Sequence, residues 1–82
     1  EHLTTSITDL AREGTQVVCA KYGVSVEYLK QNEKLEIVRS LYHQGYFLLK
    51  DSVSEAAKVL KVSDPSVYRY LQTVKDEDLQ QD

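Results

Sequence analysis

The chain has 82 residues, 41% of them hydrophobic and 28% charged, which is the make-up of one small globular domain. No apolar run approaches the ~20 residues that span a bilayer, and no signal-peptide pattern opens the chain. Cys19 is alone, which excludes a disulfide framework and a metal cluster with His2 and His43, and a reduced, buried thiol fits the cytoplasm.

Residues 1–6 are polar and expected to fray. Ile7, Leu10 and Ala11 then begin a helical pattern, with Thr5 or Ser6 as a possible cap. Gly14 weakens this helix without ending it. Val17, Val18, Ala20 and Tyr22 continue it, and Gly23 is placed to cap its C-terminus. Ser25 opens a short turn of helix through Leu29. Asn32 is the expected N-cap of the next helix, 33–44, where Leu35, Ile37, Val38, Leu41 and Tyr42 share one broad face. Gly45 ends that helix, and residues 46–49 (YFLL) are expected to be an apolar connection driven into the core. Ser52 and Glu55 carry the spacing of a capping box.

The stretch 52–74 is the most informative. Val53, Ala56, Ala57 and Leu60 fall at i, i+3, i+4 and i+7, and so do Val67, Tyr70, Leu71 and Val74. Between the two stripes lies Lys61-Val62-Ser63-Asp64-Pro65. Val62 is an apolar plug, Ser63 or Asp64 can cap the second helix, and Pro65 suits its first turn. Two short helices in step across a tight turn are a helix-turn-helix, whose second helix, about 64–74, enters the major groove when the motif reads DNA. A helical hairpin that reads nothing has the same spacing. The expected class is all-α, with a trihelical helix-turn-helix unit preceded by one or two helices and no β-wing. The expected divisions are 1–31 as a helical connector and dimerisation segment, 32–75 as the helix-turn-helix unit, and 76–82 as an acidic disordered tail.

From Glu33 to Leu71 the residues resemble the C-terminal domain of the YheO-like bacterial transcriptional regulators, a family that includes the repressor of D-arginine utilisation. Glu33-Lys34-Leu35, Ile37-Val38, Gly45-x-Phe47-Leu48-Leu49-Lys50, the Ala56-Ala57 pair and Val62-Ser63 followed by 67–71 (VYRYL) carry the resemblance. It implies a DNA-binding domain that works beside a PAS-like sensor. A small-molecule effector would then act only through a domain absent from this chain. Two positions depart from the family pattern. Lys61 stands where glycine is usual, at a cost of roughly 1 kcal/mol if the residue is left-handed. Asp64 stands where a basic or neutral residue is usual, which puts phosphate anchoring there in doubt.

A net charge of −3 opposes simple phosphate affinity, yet 52–75 carries Lys58, Lys61, Arg69 and Lys75 against Glu55 and Asp64. Arg69 leads the candidate contacts, since its planar fork matches guanine O6 and N7; the alternative is a solvated arginine paired with Glu55 or Asp76. Gln72 reaches toward adenine or is simply exposed. Ser63 and Ser66 are phosphate ligands or caps, and Asp64 caps the helix or accepts from a cytosine amino group. Tyr68 stacks on sugar or touches a thymine methyl, whereas Tyr70 belongs to the core. Lys58 and Lys61 are phosphate contacts or plain solvated charges. No catalytic, cofactor-binding or metal site is expected, because phosphate loops, paired carboxylates and metal spacings are missing. The expected partners are double-stranded DNA and a second copy of the chain, with 7–29 as the dimer surface. The competing expectation is a helical protein-interaction or dimerisation module that never touches DNA.

Overall fold

The computed structural model describes residues 7–80, and every regular element among them is helical. Helix α1 spans Ile7–Tyr22, α2 Gln31–His43, α3 Ser52–Leu60 and α4 Asp64–Leu79. Two 3₁₀ turns, Val26–Tyr28 and Tyr46–Leu48, join the first three. The all-α expectation holds, with two helices ahead of the helix-turn-helix pair and no strand among the described residues. The expectations for residues 1–6, including the Thr5 or Ser6 cap and the position of His2, lie outside the described residues.

The helices close a ring around one core. Helix α1 packs on α2 and α3, and α4 packs on the same two from the other side. Ala11 and Val18 come from α1, Ile37, Val38 and Leu41 from α2, Ala56, Ala57 and Leu60 from α3, and Val67, Tyr70, Leu71 and Val74 from α4. Full burial of each larger side chain is worth about 1.5–3 kcal/mol. The core therefore draws on both sides of the expected division at 31/32, and α1 is a structural part of the domain. Gly14 shows how closely α1 approaches. A Cβ there would meet Leu41 Cδ2 at 3.3 Å, so the helix-weakening glycine makes room for α2.

Several helix ends differ from expectation. The N-cap of α2 is Lys30, not Asn32, and the Glu33 carboxylate accepts from the Lys30 amide at 2.8 Å in place of an Asx cap. The Ser52–Glu55 box does not form. Ser52 is buried inside the first turn, where its carbonyl accepts the Tyr46 hydroxyl at 3.2 Å, and Asp51 takes the cap position with φ 64°. Burial around that hydroxyl pushes the Tyr46 pKa up to about 12, with the Glu55 charge adding to the effect. The 46–49 connection is only half a core element. Tyr46 is buried, but the 3₁₀ turn throws Leu48 out to 90% exposure.

Gly23 and Gly45 adopt positive φ where α1 and α2 end, as expected. Lys61 does the same at the end of α3, with φ 60°. Its amide reaches the Lys58 carbonyl and the Val62 amide reaches the Ala57 carbonyl at 3.0 Å, the paired bonds of a Schellman ending. The acidic disordered tail expected over 76–82 is corrected over 76–79, while residues 81 and 82 lie outside the described residues. Helix α4 runs on to Leu79, because Arg39 of α2 grips Glu77 at 2.9 and 3.1 Å and His43 meets Asp78 at 3.2 Å.

Candidate nucleic-acid interface

Helix α4 divides along its length. Val67, Tyr70, Leu71 and Val74 are buried, while Asp64, Pro65, Tyr68, Arg69, Gln72 and Thr73 face outward. Ser63 holds the N-cap position in extended backbone (φ −83°, ψ 159°), and Pro65 lies in the first turn. The Ser63 hydroxyl does not bond a helix amide. It pairs instead with Ser66 Oγ at 3.1 Å, and Arg69 Nη2 donates to the same Ser66 oxygen at 3.3 Å. Ser63, Ser66 and Arg69 thus form a row spaced three residues apart along the exposed face. Its internal ties are one neutral hydroxyl pair and one long, exposed bond from the guanidinium, which a ligand can replace.

Arg69 makes neither of the ion pairs weighed for it. Among the described residues Asp76 accepts from Gln72 Nε2 at 3.1 Å, and Glu55 accepts from Thr8 and Lys58. A guanidinium carries five N–H donors, so the single bond to Ser66 leaves most of them unused. Tyr68 stands beside the row at 60% exposure. Asp64 turns away from the row toward α3, where Ser54 Oγ donates to its carboxylate at 3.2 Å across the turn.

The two lysines lie elsewhere. Lys58 and Lys61 line a groove of about 530 Å³ between α1 and α3, and Lys58 sits 3.3 Å from Glu55. The Thr8 hydroxyl at 2.7 Å, and then Lys58, hold the Glu55 carboxyl below its ordinary pKa. The structure thus assembles Ser63, Ser66, Tyr68, Arg69 and Gln72 on one face and assigns Lys58 and Lys61 to its flank. Arg12 lines the same flank. It was not singled out in the sequence, because no local spacing links α1 to the turn. A second groove of about 820 Å³ runs beside Tyr68, walled by Leu48, Leu49, Val53 and Lys75.

Residues 10–72 match the model of a helix-turn-helix domain family, a span that reaches from α1 through Gln72. The chain belongs to the YheO-like helix-turn-helix family. It is 25% identical over 79 residues to the uncharacterized protein YheO of Escherichia coli K12 and equally to YheO of Shigella flexneri, covering 96% of this chain and 33% of each relative. An uncharacterized protein of Haemophilus influenzae is 28% identical over 72 residues, covering 88% of this chain and 33% of that protein. The chain therefore spans about a third of the length of these curated relatives. No solved structure matches it significantly. The family match starts inside α1, in keeping with a core that α1 completes. Membership supports a general DNA-binding, regulatory role for a YheO-like domain rather than catalysis. No helix among the described residues is long and apolar enough to cross a membrane.

Proposed function

We propose that this YheO-like domain binds double-stranded DNA sequence-specifically as the DNA-binding part of a bacterial cytoplasmic transcription regulator. Residues 64–74 of α4 enter the major groove. The observation that carries the reading is the Ser63–Ser66–Arg69 row, an unburied polar line on a helix whose opposite face is locked into the core. Phosphate contacts from Ser63 and Ser66 set position, while Arg69, Gln72 and Tyr68 meet base edges, with Asp64 at the leading end. A symmetric dimer fits palindromic sites, with recognition helices one DNA turn apart, roughly 34 Å. Val17, Tyr22, Val24 and Tyr28 leave apolar surface exposed on the α1 side for that contact. Any small-molecule effector acts through parts of the full-length regulator outside these residues.

The test is an NMR titration of the labelled domain with a duplex at low salt. Shifts concentrated on Ser63 through Gln72 that fade as salt rises support the reading. An unchanged spectrum at low salt overturns it for the isolated domain. The second reading, a protein-interaction module, draws on the 820 Å³ groove and its exposed Leu48 and Leu49. It predicts that Leu48→Ser abolishes partner binding and that DNA shifts nothing.

A further inference from the structure

The groove between α1 and α3 gathers three cations, Arg12, Lys58 and Lys61, against one carboxylate, Glu55. That carboxylate is already occupied by the Thr8 hydroxyl and by Lys58. Arg12 and Lys61 have no hydrogen bond or ion pair from their side chains among the described residues. Among the described residues the lysines and arginines paired with an acid are Lys21, Arg39 and Lys58, of which Lys58 lines this groove. Like charges left together on one concave surface repel each other, and an anion relieves that repulsion. Arg12 and Gln16 stand one turn apart on α1, so a guanidinium and a neutral amide donor face the groove together. The groove reaches the turn of the helix-turn-helix at Lys61, two residues before the Ser63 cap of α4. The larger groove beside Tyr68 has no such bias. Lys75 and Asp51 offset each other there, and Leu48 and Leu49 present hydrocarbon.

We infer that Arg12, with Lys58 and Lys61, forms a second phosphate-binding surface that grips the DNA backbone flanking the sequence read by α4. This rests on the DNA-binding reading above and adds a residue of α1 to it. The surface makes the flank of an acidic protein locally cationic, and it fastens α1 as well as α4 to the duplex. Because phosphates carry no sequence, the grip raises affinity equally on every site.

The experiment measures fluorescence anisotropy of the full chain on a random-sequence duplex across a salt series. Each of Arg12→Gln and Lys61→Gln is expected to lower the slope of log affinity against log salt by about 1, and the double variant by about 2. Both variants weaken binding by the same factor on unrelated sequences. Lys34→Gln, which lines neither groove, leaves the slope in place. Cys19 lines the Arg12 groove and supplies a second readout, since bound DNA is expected to slow its alkylation. Wild-type slopes in both variants, or Cys19 alkylated at one rate with and without saturating DNA, would overturn the inference while the DNA-binding reading stands. If the wild-type chain binds no duplex at all, the DNA-binding reading fails first and this one with it.

Discussion

Arg69 and Lys61 separate what a side chain does for binding from what it does for folding. The Arg69 side chain is exposed and, among the described residues, tied only to Ser66, so Arg69→Ala should leave stability within about 0.5 kcal/mol, as surface changes usually do. On a selected DNA site the same change should cost about 1–3 kcal/mol of affinity and relax the choice of base at one position. Binding isotherms on the selected site and its single-base variants check this. Lys61 is the reverse case. Its positive φ is the conformation glycine adopts freely, so Lys61→Gly should raise stability by roughly 1 kcal/mol in urea unfolding. If the lysine grips phosphate, the variant is both more stable and a weaker DNA binder. A variant that is less stable would show that the Lys61 stem contributes packing worth more than the backbone strain it imposes.

At the scale of an element, the last turn of α4 is the least expected piece of the fold. Asp76, Glu77 and Asp78 crowd the negative end of the helix dipole, where carboxylates are unfavourable. Arg39 and His43 of α2 offset that, and the two Arg39 hydrogen bonds hold the Glu77 carboxyl below its ordinary pKa. Arg39→Ala should therefore fray residues 75–79, seen as lost amide-exchange protection there, while Val67 and Leu71 keep theirs. The pH dependence follows from the depressed value. The Arg39–Glu77 contribution is complete above the unfolded glutamate pKa of roughly 4.3 and is lost as pH falls through the lower folded value. The difference in protection between wild type and the variant should thus shrink in acid. A difference that stays constant into acid would assign the effect to Arg39 packing rather than to the ion pair.

For the whole molecule the decisive fact is that four helices share one core. Removing residues 1–23 would uncover Ile37, Leu41 and Leu60, which are essentially inaccessible in the intact domain. A domain this small has little stability to lose, and uncovering several large aliphatic side chains exceeds it. The 24–82 fragment should show no cooperative thermal transition by circular dichroism, whereas a chain trimmed only to residue 7 should melt cooperatively. Cooperative melting of the shorter fragment would return the helix-turn-helix unit to the independent status its sequence suggests.

The sequence by itself determined the helix-turn-helix. Its signals are short-range: a 3.6-residue stripe on each helix, Pro65 in a first turn, and glycines at the ends of α1 and α2. Lys61 at the left-handed turn position was legible from the family resemblance. The outward set of Ser63, Ser66, Tyr68, Arg69 and Gln72 followed from the same period, since a buried stripe defines its opposite face. Tertiary structure decided the rest. Ser52 went inside because Tyr46 needed its carbonyl, which gave the cap to Asp51. The 3₁₀ turn sent Leu48 out while Tyr46 went in. Helix α4 outran its acidic sequence because its partners on α2 lie 38 and 35 residues away. Arg12 joined Lys58 and Lys61 only when α1 packed on α3. Each of these outcomes depends on a contact between distant parts of the chain, whose free energy no local pattern encodes.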